Sequence, residues 1–183
     1  ISRPISRAEY IIGKFLGLCF LVGASVLFLG IISSLPVYFA GLSYQNPQSM
    51  FSWGIYFTAI LFVAMKLMLI ASVIIFFSSI TSTAFISMIL TIATYIIGST
   101  NEVAKGLLDV KMEGVEITPL TAAIIKVVYY IFPNLSAFDL KVQAVHGIPL
   151  EPGYLLWFTL YWLLYMGIMV TAGAVIMGRR EFP

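Results

Sequence analysis

Lys66 is the one charged residue deep in an apolar run. In the stretch FVAMKLML it lies near the middle of the segment Phe51–Phe77. A charge at the centre of a bilayer costs at least about 2.5–3.5 kcal/mol, so it faces protein or water rather than lipid. Two readings follow. Lys66 lines a pathway and meets an anionic or polar group there, or it is a structural lysine bonded to a neighbouring helix or snorkelling from a tilted span. A second set is Thr83, Ser87, Thr91, Thr94 and Gly98, whose spacings of 4, 4, 3 and 4 put them on one helical face. Small and hydroxyl residues let membrane helices approach and bond across the contact. Packing is the commoner meaning of such a stripe; a translocation path is the other. Trp157, Tyr161 and Tyr165 share a face, with Phe158 and Trp162 beside it. Trp157 fits an aromatic belt. Tyr161 and Tyr165 lie deeper, and their hydroxyls need partners.

Several kinds of chemistry are missing from the sequence. It contains no GxxxxGK[ST] phosphate loop, no HExxH and no GxSxG. All eight Asp and Glu lie outside the apolar cores, where a carboxylate-driven pump or intramembrane hydrolase needs them. His146 has no Cys or His at ligand spacing, so neither a metal site nor a cofactor is expected. Cys19, the single cysteine, sits in an apolar run and reads as a small hydrophobe. No catalytic residues are expected, and the chain is read as a non-enzyme.

The elements that must position these residues are helices in lipid. Of 183 residues, 61% are hydrophobic and 10% charged, and the mean hydropathy is +1.03. A soluble fold of this size leaves too much surface in water to hide that much apolar material. The net charge of +2 is too small and too scattered to argue for nucleic acid. The fold class expected is all-α and polytopic, one domain over residues 1–183. Four spans are expected, at about Ile11–Val37, Phe51–Phe77, Thr83–Ile97 and Tyr154–Met177. Pro36 falls in the last turn of the first, and Ser78–Ser82 forms a tight hairpin between the second and third. Arg3, Arg7, Lys14, Arg179 and Arg180 crowd the two tails, which places both ends in the cytoplasm of a multi-pass cell-membrane protein.

More than 50 residues separate the third and fourth spans, and most of the charge lies there. Thr118-Pro119 is a helix start, with Thr as cap and Pro in the first turn. That helix stops before Pro133. It is very apolar but too short to span, so it lies at the outer interface or dips in and returns where protein covers its ends. Ser136 and Asp139 resemble a capping box opening a helix that Gly147 closes. Gly13-x-x-x-Gly17 and Ala174-x-x-x-Gly178 are further close-contact patterns.

The opening stretch SRPISRAEYIIGKFLG (residues 1–17 with Ile1) resembles the cytoplasmic coupling segment of ABC-2-type permeases, the membrane subunits of ATP-binding-cassette exporters. IFPNLSAFDLK (Ile131–Lys141) is similar to the segment before that family's last span, and MGRREF to its basic end. The usual family member has six spans, so the resemblance implies that this chain begins at the coupling segment, without the first two. It also implies docking of a separate cytoplasmic ATPase subunit through Arg3, Pro4, Ser6, Arg7, Glu9 and Tyr10. That partner would use ATP and Mg. A second permease subunit, alike or different, would complete the pathway. Lys66 and the face of Thr83, Ser87, Thr91 and Thr94 are the pathway candidates, and Pro133 and Asn134 would shape the exit. The alternative is a membrane anchor or assembly subunit that transports nothing.

Overall fold

The computed structural model describes residues 7–43, 51–103, 106 and 118–179. Among these the chain is helical, with no strand. Helix α1 runs Arg7–Ser43, α2 Trp53–Ile80, α3 Ala84–Ser99, α4 Pro119–Ile131, α5 Lys141–His146 and α6 Pro152–Arg179; a 3-10 turn, Ser136–Phe138, precedes α5.

Three helices, α1, α2 and α6, are long and apolar enough to cross a membrane. Their lengths of 37, 28 and 28 residues correspond to about 55, 42 and 42 Å, against a hydrocarbon core of about 30 Å. The third expected span differs. Helix α3 has 16 residues, about 24 Å, which falls short of a bilayer by itself. A bent pair, Ala123–Ile131 and Ser136–His146 at 52°, is long and apolar enough to cross only when taken together.

Helix boundaries move where local sequence is weak punctuation. Helix α1 continues through Pro36 to Ser43. Proline removes one backbone donor there, and lipid makes the helix the cheapest way to satisfy the remaining backbone groups. The α2–α3 hairpin shrinks to Thr81–Thr83, because α2 runs on to Ile80 with Thr81 N–H closing onto the Phe77 carbonyl (2.9 Å).

Two cores tie the long helices together. Near the start of α1, Ile11 and Phe15 bury against Ile75 of α2 and Val170 of α6. At the other end, Phe62, Met65, Leu69 and Val73 of α2 pack on Leu135, Phe138 and Leu140. Close approach depends on glycines other than those in the two expected patterns. A methyl group on Gly30 would lie 2.8 Å from Ile60 Cγ2, one on Gly23 2.9 Å from Met68 Cε, and one on Gly173 3.2 Å from Ser79 Oγ. Gly13, Gly17 and Gly178 face nothing within 4 Å among the described residues. The α1–α2 seam is pinned by Ser33 Oγ and Tyr56 Oη, 2.7 Å apart, with Tyr56 also donating to the Gly30 carbonyl (3.2 Å).

Candidate functional site: an interrupted segment inside the bundle

Residues 132–140 leave the helical ladder in the middle of the bundle. Pro133 stops α4 as expected, and Thr118 Oγ1 caps its start by accepting from Thr121 N–H (3.3 Å). The expected capping box is not formed. Ser136 opens only the 3-10 turn, and α5 starts five residues later, where Asp139 Oδ1 accepts from Lys141 N–H (3.4 Å). Ser136 Oγ instead donates to Asn134 Oδ1 (2.7 Å). Gly147 closes α5 in the left-handed conformation (φ 63°), with the Ile148 N–H reaching the Gln143 carbonyl (3.1 Å).

The depth of this segment follows from helix register. Ser87 Oγ donates to the Ile74 carbonyl (3.3 Å), and Lys66 Nζ lies 5.6 Å from the Tyr95 ring centroid. That antiparallel register puts the end of α3 opposite Phe62. Helix α2 continues past it to Trp53, about 13 Å further. On α6, Trp162 Nε1 donates to the Met65 carbonyl (2.8 Å). Its neighbour Tyr161 bonds Asn134, and both lie about 15 Å in from Pro152. Asn134 is therefore about half a hydrocarbon core away from the Trp53 end of the bundle. Non-helical backbone is tolerated at such depth only where protein or a water-filled cavity covers it.

The covering groups are specific. Tyr161 Oη accepts from Asn134 N–H (3.0 Å), Tyr154 Oη donates to the Ala137 carbonyl (2.6 Å) and Tyr165 Oη donates to the Ile131 carbonyl (3.2 Å). These three tyrosines stand at spacings of 7 and 4 on one face of α6. From α3, the Gly98 carbonyl accepts from Leu135 N–H (3.0 Å). Asn134 Oδ1 takes Ala137 N–H (3.3 Å) as well as Ser136. Below the turn, Phe138 is fully buried against Phe62, Phe158 and Tyr161, with ring centroids 5.9, 6.1 and 6.4 Å away. Gly98 is obligatory, because a methyl group there would meet the Pro133 carbonyl and sit 2.9 Å from Leu135 Cγ. Interhelical hydrogen bonds in membranes average only about 0.6 kcal/mol, whereas an unpaired buried group costs about 1–3 kcal/mol. The tyrosines thus chiefly hold the irregular backbone in place.

The sequence-derived candidates divide as follows. Pro133 and Asn134 form the turn itself, with Pro133 buried. Ser87, Thr91, Thr94 and Gly98 are buried along one face of α3, and Thr91 and Thr94 donate to carbonyls of their own helix at Ser87 (2.8 Å) and Leu90 (2.9 Å). Thr83 stands apart, exposed at the α3 N-cap with no side-chain cap bond. Lys66, half-buried, is one turn from the end of α3 beneath Tyr95. Such a cation–π contact is worth about 0.5–2 kcal/mol depending on desolvation. Of the docking set, Glu9 and Tyr10 are exposed on the first turns of α1. Arg3, Pro4 and Ser6 lie outside the described residues, as does the side chain of Arg7, the first residue of α1. Trp157 turns outward, 67% exposed, off the face used by Tyr161 and Tyr165.

Sequence reasoning left Tyr154, Trp162 and Asn101 without roles. Asn101, 1% exposed, donates through Nδ2 to the Tyr129 carbonyl (3.4 Å), so it fastens α4 behind the turn. The seven-residue step from Tyr154 to Tyr161 was a readable signal for the first of these. Among the described residues no group of His, Cys, Asp and Glu is arranged to hold a metal. No known family model, curated protein or solved structure matches this chain.

Proposed function

We propose that this chain is membrane-embedded permease material of an ABC-2-type exporter, moving a substrate with energy supplied by a separate ATPase subunit. The observation that carries the proposal is the interrupted segment 132–140, bonded inside the bundle by Tyr154, Tyr161 and Tyr165 of α6. Discontinuous helices near the midplane are where transporters build sites for substrates, since unwound backbone is retained there only for a purpose. Lys66, beneath Tyr95 near the end of α3, supplies a cation close to the same level.

The opening segment fits a lever. Ile11 and Phe15 bury against Ile75 and Val170, so a push on Glu9 and Tyr10 reaches α2 and α6 through packed side chains. In this reading the Arg7 end is cytoplasmic, ATP and Mg belong to the partner, a second permease subunit faces this one, and the chain itself catalyses nothing. Lys66 and the hydroxyl face of α3 border the substrate path, and Pro133 and Asn134 shape its exit.

The deciding experiment is co-purification of the chain with a Walker-motif ATPase and measurement of ATPase stimulation in reconstituted vesicles. Arg3→Glu with Arg7→Glu is expected to abolish stimulation while leaving membrane insertion intact. Stimulation that persists in the double variant removes the lever. Binding without stimulation or transport in the unmodified protein identifies an anchor or assembly subunit instead.

A further inference from the structure

We infer that the groove between α1, α2 and α5 binds one acyl chain of an anionic glycerophospholipid, with its phosphate at Lys141. This site lies beside the interrupted segment, which Lys141 touches through Asp139, and it stands whether or not the chain is a permease. The groove has a volume of about 880 Å³ and is walled by residues such as Val26, Ile60, Val63, Leu67 and Val145.

Three features select hydrocarbon over a polar occupant. First, the walls offer almost no free polar group. The two hydroxyls in the groove, Ser33 and Tyr56, lie 2.7 Å apart, so one proton bridges them and the other goes to the Gly30 carbonyl, 3.0 Å from Ser33 Oγ and 3.2 Å from Tyr56 Oη. Second, its length fits one leaflet. The lining stretches Val26–Val37 and Tyr56–Leu67 each advance about 16 Å, close to half of a hydrocarbon core of about 30 Å. Third, Lys141 is the only cation among the lining residues, and its side chain is 78% exposed. Its ammonium contacts Asp139 Oδ2 at 3.1 Å, yet it carries three donors, so a lipid phosphate can take another. Gly30 and Ile60 draw α1 onto α2 at one point of the groove and so keep it narrow.

The experiment uses the protein reconstituted in phosphatidylcholine vesicles that contain a small share of phosphatidylglycerol bearing a photoreactive group on its acyl chain, with adducts mapped by mass spectrometry. The expected result is labelling concentrated on Ile60–Leu67 and on Ala144–Val145, stronger with this probe than with the same group on phosphatidylcholine. Val63→Trp and Ala144→Phe fill the groove from opposite walls and each removes most of the label there. Lys141→Gln lowers the preference for phosphatidylglycerol by about threefold, the scale of an exposed ion pair. Labelling spread evenly onto the outward face of α6 at Leu163 and Leu164, and insensitive to both blocking variants, shows only annular lipid and overturns the inference. Adducts absent from the groove, or cross-links from it to another polypeptide or a second copy of the chain, overturn it as well.

Discussion

A tyrosine hydroxyl in a membrane helix has few partners, and the ones chosen by α6 define what the helix does. Tyr161 is the only partner found for the Asn134 N–H among the described residues. Tyr161→Phe leaves the ring against Phe138 but strands that donor, costing about 1–3 kcal/mol. Amide exchange at Asn134, followed by mass spectrometry, is expected to quicken about tenfold or more. Tyr130, 81% exposed, serves as control, and Tyr130→Phe leaves exchange unchanged. Equal protection in both variants shows that the hydroxyl is dispensable. Gly98 sets a second residue-scale limit. Gly98→Ala pushes Leu135 and the Pro133 carbonyl away from α3, an overpacking of about 1–3 kcal/mol, visible as a lower midpoint of thermal unfolding in detergent.

At the scale of elements, α3 and the bent segment 119–146 meet at Gly98, whose carbonyl accepts from Leu135 N–H. Helix α3 stops opposite Phe62, and the turn carrying Leu135, Ala137 and Phe138 occupies the level above it. Phe138 is the plug, completely buried between α2 and α6. Lipid is as apolar as the core, so Phe138→Ala loses mainly packing; a void of about 100 Å³ costs about 2 kcal/mol. A cysteine placed at Ala137, 1% exposed, is expected to react slowly with maleimide and to become reactive when Phe138→Ala is added. Much of this was legible in the sequence. The Thr118-Pro119 start, the stop at Pro133 and the left-handed end at Gly147 are local signals, and local chemistry decided them. The hydroxyl stripe of α3 was also legible as a face, since period alone fixes it. The depth of the turn was not legible. It depends on Gly98 meeting Pro133 and on tyrosines 17, 27 and 34 positions from their partners, and no short window of sequence contains both. The third expected span was legible as an apolar helix but not in its length, because apolar character alone does not say whether a 16-residue helix is completed by another segment.

At the scale of the molecule, the two cores make different demands. The Ile11–Phe15–Ile75–Val170 cluster joins three helices that are long enough to cross the bilayer, so the Arg7 end is tied to α2 and α6 by packing. The other core contains the interrupted segment, where α6 binds through directed hydrogen bonds. In the proposed exporter, a push at Tyr10 reaches Tyr161 and Tyr165 along α6, which is continuous from Pro152 to Arg179. This requires the ends of α6 to lie on opposite sides of the membrane, with the α2–α3 turn on the side of Arg179. Cysteines introduced one at a time at Ser82, Glu151 and Arg179, in a Cys19→Ser background, test that placement. With a membrane-impermeant maleimide, Ser82→Cys and Arg179→Cys are expected to react only in inverted vesicles, and Glu151→Cys only in right-side-out cells. If Ser82→Cys reacts from the same side as Glu151→Cys, α2 does not cross. If Glu151→Cys and Arg179→Cys share a side, α6 does not cross. Either result removes the proposed lever, because force applied at Tyr10 then has no membrane-crossing path to Asn134.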